Sequence, residues 1–108
     1  MPTPHYPISA ARRAIRELGI DIREARLRRN IPMAVLAGRA FISRTTLRRV
    51  EQGDPGVSMG VYAAVLHSLG LLDGLRGSAS LAHDEVGRTL AGAALPERAR
   101  ARRPRKAR

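Results

Sequence analysis

Residues 31–53 read IPMAVLAGRAFISRTTLRRVEQG, and this stretch decides the fold. Leu36, Ala37 and Ala40 share one helical face at spacings of three and four, and Leu47 and Val50 share another. Phe41-Ile42-Ser43 lies between the two faces. Ser43 predicts an N-cap, because its hydroxyl accepts from the free N–H groups of the next turn. The following helix, Arg44 to Gln52, should stop at Gly53, the residue type best suited to a left-handed C′ position. Its outer face carries Arg44, Thr45, Arg48 and Arg49. A short helix with an arginine-rich outer face, held by a first helix across a tight turn, is what places side chains in a DNA major groove.

Outward from this pair the pattern stays helical. Upstream, Ala10 to Arg29 presents Ala11, Ala14, Ile15, Leu18, Ile22 and Ala25 on one face. Ser9 is the expected cap, and Asn30 suits a left-handed exit. Gly19 costs about 1 kcal/mol in a helix interior relative to Ala, so it marks close helix packing or a break. Downstream, Asp54-Pro55-Gly56 reads as a turn. Ser58 should cap a helix from Met59 to Leu69, whose Tyr62, Val65, Leu66 and Leu69 complete a core, with Gly70 as its stop. Leu71 to Gly77 gives a short fifth helix, its Leu71, Leu72 and Leu75 a candidate dimer surface. After a linker, Ser78 to His83, a sixth helix is expected from Asp84 to Ala94. Asp84 and Glu85 suit its first turn. Its thin stripe, Val86, Leu90, Ala93 and Ala94, cannot fold alone and needs a surface to dock on.

The expected division is a flexible arm at 1–9, a helix-turn-helix domain at 10–77, a linker and C-terminal helix at 78–95, and a disordered basic tail at 96–108. The net charge is +11, of which 96–108, with 7 basic and 1 acidic side chain, holds +6. Such a balance points to a polyanion. Arginine outnumbers lysine 19 to 1; it suits bidentate contacts to guanine and phosphate, although the bland reading, a GC-rich genome whose codons favour arginine, explains the ratio better than it explains the placement.

Several function classes fall away. With no cysteine there is no disulfide, thiolate nucleophile or Cys-ligated zinc. His5, His67 and His83 lie on separate elements, no paired-ligand spacing exists, and there is no glycine-rich phosphate loop. No enzyme activity, metal or cofactor is expected. No apolar run has membrane-spanning length and the N-terminus lacks a signal-peptide core, so a cytoplasmic protein is the default.

Leu36-Ala37 followed by Ile42-Ser43-Arg44-x-Thr46-Leu47-x-Arg49-Val50-Glu51-x-Gly53 resembles the Cro/repressor-type (xenobiotic-response-element) helix-turn-helix family. The resemblance covers roughly Leu18 to Leu72 and implies an all-α, five-helix, lambda-repressor-like DNA-binding domain. Here that domain has an N-terminally extended first helix, an added C-terminal helix and a basic tail. It implies base contacts from Arg44, Thr45, Arg48 and Arg49, and phosphate contacts from Met33, Ser43, Thr46 and Gln52. It also implies a structural ion pair between Arg26 and Glu51, and a homodimer on palindromic double-stranded DNA. Two positions depart from the family. Met33 replaces the usual glutamine, leaving only its backbone N–H for phosphate, and Phe41 replaces the usual turn glycine, at a cost of about 1 kcal/mol if φ is positive. The segments GDPGVSMG, Asp84-Glu85-Val86-Gly87 and Leu95-Pro96-Glu97-Arg98 further resemble HipB-like antitoxins encoded beside HipA-type kinase toxins, which implies such a toxin as partner. A stand-alone regulator of the same family and a basic RNA- or ribosome-associated adaptor are the alternatives.

Overall fold

Three turns of helix precede Gly19, the first residue that the domain buries. The first helix, α1 (Ser9–Arg28), runs unbroken for 20 residues in the computed structural model, which describes residues 8–93. It is followed by α2 (Met33–Arg39), α3 (Arg44–Glu51), α4 (Met59–Leu69), α5 (Leu72–Arg76), a 3-10 turn at Leu81–His83 and α6 (Glu85–Ala93). The described residues are thus all-helical, in a lambda-repressor-like arrangement. The described residues divide into two units, one up to Leu75 and one from Arg76. The expected N-terminal arm up to residue 7, the stripe residue Ala94 and the basic tail lie outside the described residues.

The core of the first unit draws on four helices. Ile22 of α1, Leu36 of α2, Leu47 and Val50 of α3 and Val65 of α4 are fully buried, with Ala25, Ala37, Tyr62 and Leu69 around them. Each large side chain taken out of water contributes about 1.5–3 kcal/mol, so this small aliphatic cluster suffices for a domain without tryptophan. Gly19 marks a close approach, not a break. A Cβ there would lie 2.6 Å from the Gly53 nitrogen and 2.7 Å from the Val50 carbonyl oxygen, so the backbones of α1 and the end of α3 meet with no side chain between them. Gly53 itself sits at φ 71°, in the left-handed region expected of it.

Turn chemistry fixes the remaining joints. Asn30 takes φ 53° after α1, and Gly70 takes φ 78° after α4. The Leu71 N–H donates back to the Leu66 carbonyl at 2.8 Å, which places Leu71 in the helix stop rather than in α5. Three expectations need correction. Ile8, not Ser9, is the N-cap of α1, and no side chain caps that helix; the Arg12 N–H already donates to Ile8, so Ser9 is inside the ladder. Leu75 is not left outside the core, since it packs, half-buried, against the core cluster, while Leu71 of the same expected face stays exposed. Asp84 is the cap of α6 rather than part of its first turn, its Oδ1 accepting from the Gly87 N–H at 2.9 Å.

Candidate nucleic-acid interface

The recognition helix α3 is fixed from its start, its inner face and its end. At the start, Ser43 Oγ accepts from the Thr46 N–H and donates to Thr46 Oγ1, both at 3.0 Å. This closes one of the orphan donors of the first turn, and it commits both hydroxyls, expected at phosphates, partly to each other. The inner face is Leu47 and Val50, both fully buried. At the end, Glu51 is buried and meets Arg26 of α1: Arg26 Nε donates to Oε2 at 2.7 Å and Nη2 to Oε1 at 3.1 Å. The remaining terminal nitrogen, Nη1, donates to the Ile31 carbonyl at 3.1 Å. One guanidinium therefore ties α1, the α1–α2 loop and the C-terminal end of α3 together. The two side chains are 8% and 6% exposed, which makes the forked geometry a shielded pair.

The outer face of α3 points to solvent. Arg44, Thr45 and Arg48 are exposed, and their side chains make no hydrogen bond to the described residues. Arg49 differs from them. Its Nε donates to Asp54 Oδ2 at 2.8 Å across the Gly53 turn, in a half-exposed ion pair. That bond uses neither terminal nitrogen, so Nη1 and Nη2 keep the fork that reads guanine or phosphate. Gln52 is exposed at the end of the helix. Met33 opens α2, half-buried against the core, and no side chain caps that helix; the Val35 and Leu36 N–H groups donate to the Pro32 carbonyl, which leaves those of Met33 and Ala34 for an outside acceptor.

Asp54 does more than turn the chain. Its other oxygen, Oδ1, accepts from the Gly56 N–H at 2.7 Å, and its carbonyl accepts from the Tyr62 hydroxyl at 2.8 Å. The Arg49 bond, aided by the Gly56 N–H, holds its carboxyl below the usual range of about 3.8. Burial, with the Asp54 charge nearby, pushes the Tyr62 phenol up to about 12. The α3–α4 loop is thus a rigid brace of Arg49. The readable signal was an acid five residues after an arginine, on the far side of a glycine turn.

Residues 17–79 match the family described as helix-turn-helix domain. The chain belongs to the helix-turn-helix domain family. Nothing among curated proteins or solved structures gives a significant match. A helix-turn-helix domain serves DNA-binding regulation, and duplex DNA is the partner that this fold and the exposed arginines of α3 serve. No helix among the described residues is long and apolar enough to cross a membrane.

Proposed function

We propose that this helix-turn-helix protein is a sequence-specific transcriptional repressor that binds a palindromic operator as a homodimer. The observation that carries the reading is the contrast across α3: the inner face is buried and ion-paired, while Arg44, Thr45 and Arg48 stand exposed and unengaged. In this reading Arg44 and Thr45 read bases from the start of the helix, Arg48 reads a base or grips phosphate, and Arg49 reads a base with its orientation set by Asp54. The Met33 N–H, Ser43, Thr46 and Gln52 position the domain on phosphates. A single module covers one half-site, and a dimer places two about one helical turn apart. Selection of duplexes from a random pool should return a palindrome. Arg44→Ala should then cost about 1–3 kcal/mol on the selected site and relax preference at one base pair. A drop in affinity with unchanged preference would leave Arg44 as a phosphate contact only.

The finer reading, an antitoxin paired with a HipA-type kinase toxin, is supported by the sequence resemblance and by α6. Val86 and Leu90 of that helix are 70% and 63% exposed, an apolar stripe that a second subunit or a toxin would cover. A kinase gene beside this one and co-purification of its product would support the antitoxin; a gene with no such neighbour leaves the stand-alone regulator. An RNA- or ribosome-associated adaptor would bind RNA as tightly as the selected duplex of equal length.

A further inference from the structure

Phe41 is the least expected residue of the helix-turn-helix. It occupies the turn between α2 and α3 at φ 58°, a conformation that side-chain-bearing residues rarely adopt, and its side chain is 94% exposed. The backbone there is not loose. The Phe41 N–H donates to Gly38 at 3.1 Å and the Ile42 N–H to Ala37 at 3.0 Å, the double closure of a helix stop. Glycine or asparagine would fill this joint with less strain, and an exposed aromatic ring adds nothing to the core. The residue is therefore unfavourable for the backbone and idle in the packing of its own domain.

Its surroundings indicate what the ring meets. Between Glu24 and Glu51 the chain carries no carboxylate, while Arg39, Arg44, Arg48 and Arg49 all fall in that interval. Phe41 thus belongs to a stretch of chain that is apolar and cationic and carries no anion of its own, a composition complementary to a polyanion with apolar edges. It also stands two residues ahead of Ser43, the N-cap of the recognition helix, so extended chain of at most about 7 Å separates them. Wherever the start of α3 enters a groove, the turn that carries the exposed ring lies within that distance of it.

We propose that Phe41 contacts DNA directly, packing its ring on the apolar surface of the groove wall beside the start of α3: a thymine methyl or a deoxyribose. The inference rests on the DNA-binding reading of α3 and adds to it a contact made by the turn. The ring supplies apolar area and not charge, so it acts on affinity without acting on counterion release.

The test uses the full chain and the duplex that wild-type protein selects from a random pool. Phe41→Gly and Phe41→Asn both remove the ring and both tolerate the left-handed backbone. Each should melt no lower than wild type yet bind the selected duplex roughly 5-fold or more weakly, with an unchanged slope of log affinity against log salt. Phe41→Tyr, which keeps the ring, should keep the affinity. Replacing thymines of the duplex by deoxyuridine separates the two surfaces. A methyl contact predicts that wild type loses affinity and Phe41→Gly loses nothing further, and a deoxyribose contact predicts that neither changes. Equal affinity of wild type and both ring-less variants overturns the proposal, as does loss of a protein partner with DNA affinity intact. Failure of the parent reading looks different: wild type and Arg44→Ala would then select no duplex at all.

Discussion

Helices α3 and α6 are nearly equal in length, 8 and 9 residues, yet they are held in opposite ways. Each is amphipathic, and each begins at a side-chain cap, Ser43 or Asp84. Three residues of α3 are buried and none of α6 is. What fixes α6 within residues 76–93 is local: the Asp84 cap, Arg88 Nη1 donating to the carbonyls of Leu81 and Ala82, and Thr89 Oγ1 donating to Glu85. A helix of this length is marginal without a packed face. The difference teaches that an apolar stripe is a demand for a partner. In α3 the demand is met inside the domain, and in α6 Val86 and Leu90 leave it open.

The sharpest way to break the contrast is to remove what α3 has and α6 lacks. Arg26→Ala or Glu51→Ala leaves an uncompensated buried charge and should destabilise the first unit by about 3–5 kcal/mol, read as a lowered midpoint in urea. A loss below about 1 kcal/mol would mean that water reaches the pair. Next comes Gly19→Ala. Helix propensity favours alanine by about 1 kcal/mol, but the new methyl would meet the backbone of Val50 and Gly53, so the sign should reverse to a loss of about 1–3 kcal/mol. A gain in stability would show that α1 and α3 move apart at little cost.

For α6 the expected effects are smaller and confined. Asp84→Ala should cost about 1 kcal/mol of local helix stability, seen as faster amide exchange over residues 85–93, with the melting of the first unit unchanged. A fall in that melting temperature would show that α6 is energetically part of the domain. The weakest effect is that of pH on the Arg49 brace. Asp54 has a depressed pKa when folded, so its contribution is present above the unfolded value of about 3.8 and is lost as pH falls through the lower folded one. Titration of the Asp54 carboxyl by NMR should therefore show a midpoint below 3.8, and Arg49→Ala should return it toward that value. The exposed position of the pair keeps its weight in stability small.

The same contrast explains how much could be read from residues alone. Where one strong rule governs a position, the reading held: the apolar spacings gave the helices of the first unit, and Asn30, Gly53 and Gly70 took left-handed φ where their types suggested it. Arg26 and Glu51 were paired only through the family resemblance, since nothing local links residues 25 apart. Where two rules compete, the sequence was silent. Gly19 fitted a break as well as a close contact, and only the position of Val50 and Gly53 decides between them. Leu75 fitted a surface patch as well as a core position, and only the core cluster it packs against decides between them. Of the outward residues of α3, exposure was legible from periodicity, but the Asp54 brace on Arg49 was not, because a turn acid has many partners within reach.

The backbone contact at Gly19 and Gly53 carries a consequence for how such a protein could acquire a new target. No side chain cushions α1 from the end of α3, so at this contact there is no side chain whose replacement by a smaller one would re-tilt the recognition helix. Its seat on α1 is backbone against backbone, while Arg44, Thr45 and Arg48 are exposed and take no part in that contact. A change of operator would then proceed as a change of lettering on a fixed type block. If the proposed base contacts hold, exchanging those three outward residues together with Arg49 should transplant preference between proteins that share the two glycines, without any need to rebuild the domain beneath.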